Sequence, residues 1–374
     1  MDRRYVGIDL HRRRSVIDAM DAEGERLFCE RIANDSLRVL EVVSGAGVDA
    51  EVVIEATYGW YWAVDGLTEA GFSVHLAHPS GNDWGKRRVK NDERDAGDLA
   101  DLLRLGRLAE SWIAPPEVRQ ARELVRYRAK LVQLRSGLKA QAQAVMAKEG
   151  VLASVTDMFG PAGQRLLDEM ELAHAYTVRV ESLRELIEIY DREVVMLERK
   201  IHDRLRDDRG YQAIQALDGV GRTIAAILVT EIGDIGRFRS PEALCSWAGL
   251  APHHRESDTK VVRGKITKHG SKLVRWATLE AIVRYHGGPH LRETFHRIAE
   301  RRRSHSQSST GSGSMRALEP RLVAATRASR FNLSTVEGSP VGARAKDLVR
   351  AVSLRGDPFY SGGGRAAPEG GIQR

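Results

Sequence analysis

The segment Tyr5-Val6-Gly7-Ile8-Asp9 is a short, mostly apolar run that ends on an acid. Bounded by polar residues, it predicts a buried strand whose last side chain reaches the rim of a sheet. Ser15–Asp21 and Arg26–Ile32 read as two further strands, joined by a turn through Glu23-Gly24. Glu51–Glu55 and Phe72–Ala77 are two more, each following a helix or loop, and Val52-Val53-Ile54-Glu55 repeats the ending of an apolar run on an acid. Asn91–Leu108 predicts a helix with an apolar stripe of Leu99, Leu102, Leu103 and Leu105. Three strands followed by alternating helices and strands imply a mixed sheet with helices on its faces.

Beyond this α/β region, Pro115-Pro116 mark a boundary. Leu124, Tyr127, Leu131, Leu134, Leu138 and Val145 then recur at helical steps. After a break near residues 150–163, Leu183, Ile187, Tyr190, Val194, Leu197, Ile201 and Leu205 resume the rhythm. Steps of three and four predict two amphipathic helices packed antiparallel as a coiled-coil arm. The exposed face of the first is expected to carry Arg119, Arg122, Arg126, Arg128, Lys130, Arg135 and Lys139. Residues 211–300 predict a second compact, mostly helical unit, with Ser240 and Ser271 as helix caps. From 304 onward eleven serines and ten glycines accompany three aromatics, a composition that buries little and is expected to be disordered. The expected domains are 1–112, 113–208, 209–303 and a tail at 304–374.

The 374 residues carry 42% apolar and 29% charged side chains, which fits a globular chain and excludes a bilayer-spanning one. Two distant cysteines, Cys29 and Cys245, exclude a disulfide scaffold and a cysteine zinc site. No secretory signal is read at the N-terminus, and a cytoplasmic location is expected. A net charge of +7 leans toward polyanionic partners.

Four carboxylates stand out. Asp9 and Glu55 end strands, and Asp92 and Asp95 share one face of a helix start. Hard oxygen donors from these places can hold a pair of Mg²⁺ or Mn²⁺ ions, the arrangement that clamps both oxygens in a phosphoryl transfer. The plain alternative makes the strand-end acid a turn former and the helix acids complements of the helix dipole. Asp98 and Asp101 continue the acidic helix and compete for the ligand role. Three strands followed by a fourth ending in glutamate is the layout of the RNase H-like fold. Farther on, Leu217-Asp218-Gly219-Val220-Gly221 before an apolar helix is a helix-hairpin-helix signature. Its Gly219 and Gly221 leave backbone N–H groups free to face a phosphate, or simply turn the chain between two core helices. From Lys260 to Arg275 there are six basic residues and no acid: Lys260, Arg263, Lys265, Lys268, Lys272 and Arg275. That density suits a phosphate backbone, although a solvated surface accounts for it too.

Lys90-Asn91-Asp92-Glu93-Arg94-Asp95-Ala96 resembles a K-T/N-D-x-x-D-A motif, and Ile54-Glu55-Ala56-Thr57-Tyr58-Gly59 an E-A-T/S-G segment with Tyr58 inserted. Gly249-Leu250-Ala251-Pro252 and the run from Ser257 to Gly270 resemble a G-L-x-P, S-x-G-K, G-x-I-x-K-x-G series. The chain thereby resembles, over about residues 3–300, the bacterial insertion-sequence transposases with a DEDD, RuvC-like domain and a C-terminal catalytic serine. That family includes Piv-type invertases and bridge-RNA-guided recombinases. The resemblance implies a metal set of Asp9, Glu55, Asp92 and Asp95 and a nucleophile at Ser257. It also implies DNA and a guide RNA as partners in a homo-oligomer. Asp258 and Thr259 depart from the small residue and glycine usual after the serine. The tail after Arg301-Arg302-Arg303 departs from the family's continuing basic helix. Two rivals remain on the residues alone: a junction resolvase or metal nuclease without a serine intermediate, and a non-catalytic nucleic-acid-binding protein.

Overall fold

The computed structural model describes residues 3–79, 81, 92–151, 155, 157–258 and 260–284. It forms two compact units that divide at Pro115/Pro116. The first holds β1 (Tyr5–Leu10), β2 (Arg14–Met20), β3 (Arg26–Ala33), α1 (Ser36–Gly45), β4 (Glu51–Glu55), α2 (Tyr61–Glu69), β5 (Ser73–Ala77) and α3 (Asp92–Arg104). The five strands run in the order β3-β2-β1-β4-β5. β1, β2 and β3 are antiparallel neighbours, while β4 and β5 run parallel to β1. This mixed α/β unit is consistent with an RNase H-like fold.

The two faces of β1 go to different cores. Val6, Ile8 and Leu10 pack with Val39, Val43, Val64 and Leu67 of α1 and α2. Tyr5 packs with Val53, Leu99, Ala100 and Leu103 on the α3 side. Val6, Ile8, Val52 and Ile54 are fully buried, each contributing about 1.5–3 kcal/mol. A slip of one residue would drive Asp9 into that core, so the register is firmly set. Gly7 lies on the α3 face. A Cβ there would stand 2.0 Å from the Ala96 carbonyl oxygen, so glycine lets α3 settle on the sheet.

α3 ends sooner than the expected limit of Leu108. Gly106 adopts φ +62°, and the N–H groups of Gly106 and Arg107 close onto the Leu103 and Leu102 carbonyls. That is a Schellman closure, for which glycine is the favoured residue.

The second unit holds α4 (Pro116–Lys148), α5 (Pro161–Glu169), α6 (His174–Leu205), α7 (Arg209–Gln215), α8 (Arg222–Ile232), α9 (Pro241–Trp247), β6 (Pro252–Ser257), β7 (Lys260–Ile266) and α10 (Lys272–Arg284). α4 and α6 pair antiparallel, since Arg128 meets Glu198, Arg135 meets Asp191, and Gln141 meets Arg179. Leu131, Val194 and Leu197 are buried between them. The break expected near 150–163 leads into a further short helix, α5, which begins on Pro161.

The basic face expected on α4 is largely consumed inside the unit. Arg119 is buried. Arg122 donates to the Thr230 and Glu231 carbonyls at 2.7 and 3.0 Å, where it complements the C-terminal end of α8. Arg126 holds both carboxylate oxygens of buried Glu231, at 2.7 and 3.0 Å. Lys130 is exposed. Periodicity marked these arginines as off the apolar stripe but carried no information about acids far away in sequence.

Ser240 caps α9 through the Ala243 N–H, and Ser271 caps α10 through the Val274 N–H, both as expected. The stretch around Ser257, in a unit expected to be mostly helical, forms a β-hairpin, β6 against β7. The tail at 304–374 lies outside the described residues.

Candidate active site

Asp9 is the penultimate residue of β1, on the face that α3 covers. The register Ile8–Ile54 places Glu55, the last residue of β4, beside it on the neighbouring strand. Asp92 is the first residue of α3, and Asp95 follows it by almost one turn. Because Gly7 admits α3 so closely, the first turn of that helix lies over the rim where Asp9 stands near the end of its strand. Lys90 and Asn91 lie outside the described residues.

His11 completes the group. Its Nε2 lies 3.0 Å from Asp9 Oδ2 and 3.6 Å from Asp92 Oδ1. One ligand atom from each of Asp9, His11 and Asp92 lies within 4.8 Å of the others. Arg14 reaches the other oxygen of Asp92 at 3.3 Å. Burial raises the Asp9 carboxyl above its ordinary range; Asp92 and Asp95 raise it further, while His11 opposes them. Asp9 is thus poorly hydrated, close to Asp92 and within the electrostatic reach of Asp95. Such a site is most favourable when a cation enters it. Two carboxylates and one imidazole at this spacing fit a divalent ion with mixed oxygen and nitrogen ligands.

Glu55 is half-buried at its strand end but is not part of the three-residue group. Of the competing acids, Asp101 is spent on Arg104, with which it pairs at 2.6 Å. His11 escaped the sequence reading. The available signal was the two-residue step from Asp9, which puts both side chains on one face of an extended chain.

The remaining candidates belong to the second unit. Gly219, at φ +81°, turns the chain between α7 and α8, and Gly221 precedes the first residue of α8. Ser257 is the exposed last residue of β6. It pairs with Lys260 across the hairpin. Asp258 takes φ +50°, a conformation that aspartate tolerates better than most residues, as tight hairpin turns require.

Lys265, Lys268 and Lys272 are exposed, whereas Arg275 is already engaged. Its Nη1 donates to the carbonyls of Ala248, His269 and Gly270 at 2.9, 2.6 and 3.2 Å. Lys260 and Arg263 lie on β7. The base of the hairpin is a backbone crossing: a Cβ on Gly249 would stand 1.9 Å from the His269 oxygen, and one on Gly270 1.9 Å from the Trp247 oxygen. The two glycine-bearing motifs therefore meet. Trp60 and Trp62 pack against the first unit's core and Trp247 against the second's, so none of the three is a free surface ring.

Two family models match the chain. One, a DEDD-type IS110 transposase domain, covers residues 6–149. The other, described as the transposase IS116/IS110/IS902 family, covers residues 211–286. Residues 6–149 and 211–286 are thus each similar to part of the IS116/IS110/IS902 transposases. The first match spans the acid cluster, and the second spans α7 through α10 with the hairpin. "Putative transposase y4qE" of Sinorhizobium fredii is 33% identical over 54% of this chain and 50% of its own length. "Probable family 20 transposase" of Pseudomonas aeruginosa is 27% identical over 58% of this chain and 64% of its own. The IS116 44.8 kDa protein of Streptomyces clavuligerus is 24% identical over 74% and 82%. The matched region thus spans about half to two thirds of the first two relatives. Among the described residues, no helix is long and apolar enough to cross a membrane.

Proposed function

We propose that the chain is a DNA transposase or site-specific recombinase, guided by RNA, in which Ser257 attacks a DNA phosphate with metal assistance. The observation that carries the proposal is the convergence of Asp9, His11 and Asp92 at the sheet rim, within a matched DEDD-type domain. These residues would hold Mg²⁺ or Mn²⁺, with Asp95 and Glu55 completing a two-ion set. Such ions supply charge stabilisation on the phosphoryl oxygens.

The chain's own part is as follows. The Ser257 oxygen forms a bond to phosphorus as the bond from phosphorus to the 3′ oxygen breaks. The serine gives up its proton, the 3′ oxygen gains one, and a 5′-phosphoserine link remains. A free 3′ hydroxyl on another cut strand reverses the link, rejoining DNA with no net loss of phosphoester bonds. Exposed Lys265, Lys268 and Lys272, with Lys260 and Arg263 of the same hairpin strand, would neutralise backbone phosphates. Gly219 and Gly221 would present N–H groups to another. Cutting both strands of two duplexes needs several such sites, so the working form is a homo-oligomer assembled through the α4–α6 arm as a coiled coil.

A second reading has support of its own. The acid cluster lies wholly in the first unit, as a metal-dependent nuclease or junction resolvase using water would require. Ser257→Ala separates the two. Incubated with element ends, flanking RNA and Mg²⁺, the variant retains cleavage if water is the nucleophile and loses all covalent product if serine is.

A further inference from the structure

Tyr58 is 87% exposed, the largest exposure of any bulky apolar side chain among the described residues. It stands in the short connection between Glu55, at the end of β4, and α2. Gly59, at φ +82° and with open space where a Cβ would go, turns the chain just after it. Beyond that turn, Trp60 packs on the core and Tyr61 stands edge-on to it, with ring centroids 4.4 Å apart at 89°. Tyr61 is itself 43% exposed. The packed Trp60–Tyr61 pair is thus an aromatic ledge that follows the solvent-facing ring of Tyr58 closely in sequence.

The ledge adjoins the acid cluster through the backbone. Thr57 N–H closes onto the Glu55 carbonyl at 2.7 Å, tightening the connection. Three residues span at most ~11 Å, and adjacent strands lie ~4.8 Å apart. The Cα of Tyr58 is therefore within roughly 16 Å of that of Asp9, a distance covered by a few nucleotides. An exposed ring gains little in water, but a π-face beside a site for backbone phosphates is a surface on which a base stacks.

We infer that Tyr58 stacks on an unpaired base of the DNA strand whose phosphate lies at the Asp9 rim. This inference rests on the proposed function, and it names the strand feature that the first unit holds. Because the ring is exposed and makes no core contact, its replacement leaves the fold intact.

The test is a cycle between protein and DNA, performed on the full chain in EDTA so that nothing is cut. Affinities of wild type, Tyr58→Phe and Tyr58→Ala are measured for a fluorescein-labelled single-stranded 20-mer and for its fully abasic counterpart of equal charge. Stacking predicts a loss of about 5- to 150-fold for Tyr58→Ala on the normal strand. It predicts no loss on the abasic strand, and retention in Tyr58→Phe. Equal affinities of wild type and Tyr58→Ala for the normal strand, or equal losses on both strands, overturn the inference. A larger effect on an RNA 20-mer than on DNA overturns it in favour of a guide strand. If wild type binds neither DNA, the transposase reading itself fails, an outcome distinct from DNA binding indifferent to Tyr58.

Discussion

Asp9 stands one residue before the end of a buried strand, and its carboxyl is held above the ordinary range first by loss of solvent and then by Asp92 and Asp95. A folded-state value raised above the unfolded one means that the native state binds the proton more tightly. Without metal, this group's contribution to stability is therefore greatest at low pH and declines as pH rises from near 3.8 through the raised folded value. Thermal unfolding in EDTA at neutral pH should accordingly show Asp9→Asn to be as stable as wild type or more so. The same variant should lose the stabilisation that Mn²⁺ gives wild type, which a melt series with added Mn²⁺ reads directly. His11→Ala should weaken Mn²⁺ binding by about tenfold or more, measured by titration calorimetry. Asp9 and Asp92 were legible because an acid after an apolar run and an acid opening a helix are local patterns. His11 was not, since one histidine in a polar loop resembles any other until α3 brings Asp92 to the same ring nitrogen that faces Asp9.

At the scale of elements, the close seat of α3 on β1 decides whether the acids meet. Gly7→Ala puts a methyl against the Ala96 carbonyl, and relief requires α3 to move. The expected cost is about 1–3 kcal/mol in denaturant unfolding, with loss of Mn²⁺ binding although no acid is touched. An unchanged Mn²⁺ affinity would refute that role for Gly7. In the second unit, Arg126 is half exposed but its partner Glu231 is buried, so Arg126→Ala strands a carboxylate. Urea unfolding should record a loss of about 3 kcal/mol. The sheet was readable because strand periodicity and turns are local, and the five strands lie close to their expected limits. The hairpin around Ser257 was hidden because His253 to Ser257 has no apolar alternation: these side chains are all exposed, and the ladder is held at its base by Gly249, Gly270 and Arg275. Those three residues read as motif letters or as a phosphate contact, and their packing appears only when two distant segments cross.

Over the whole molecule, the account divides labour between an acid rim in the first unit and a basic hairpin bearing Ser257 in the second. If the exposed lysines of the basic run contact phosphates, replacing Lys265, Lys268 and Lys272 together by alanine should weaken DNA binding. It should also flatten the dependence of log affinity on log salt by roughly three. An unchanged slope would place the DNA elsewhere. The division near Pro115/Pro116 could be read from the paired prolines, whereas the use of Arg122 and Arg126 inside the second unit could not. The most direct measurement asks whether the two places act on one bond. Wild type, Asp9→Asn and Ser257→Ala are each incubated with labelled element ends, flanking RNA and Mg²⁺, and denatured; protein-linked DNA is then mapped by peptide mass. The account predicts a DNA-linked peptide containing Ser257 in wild type and none in either variant. Undiminished Ser257 adduct in Asp9→Asn, or undiminished cleavage by Ser257→Ala, would contradict it.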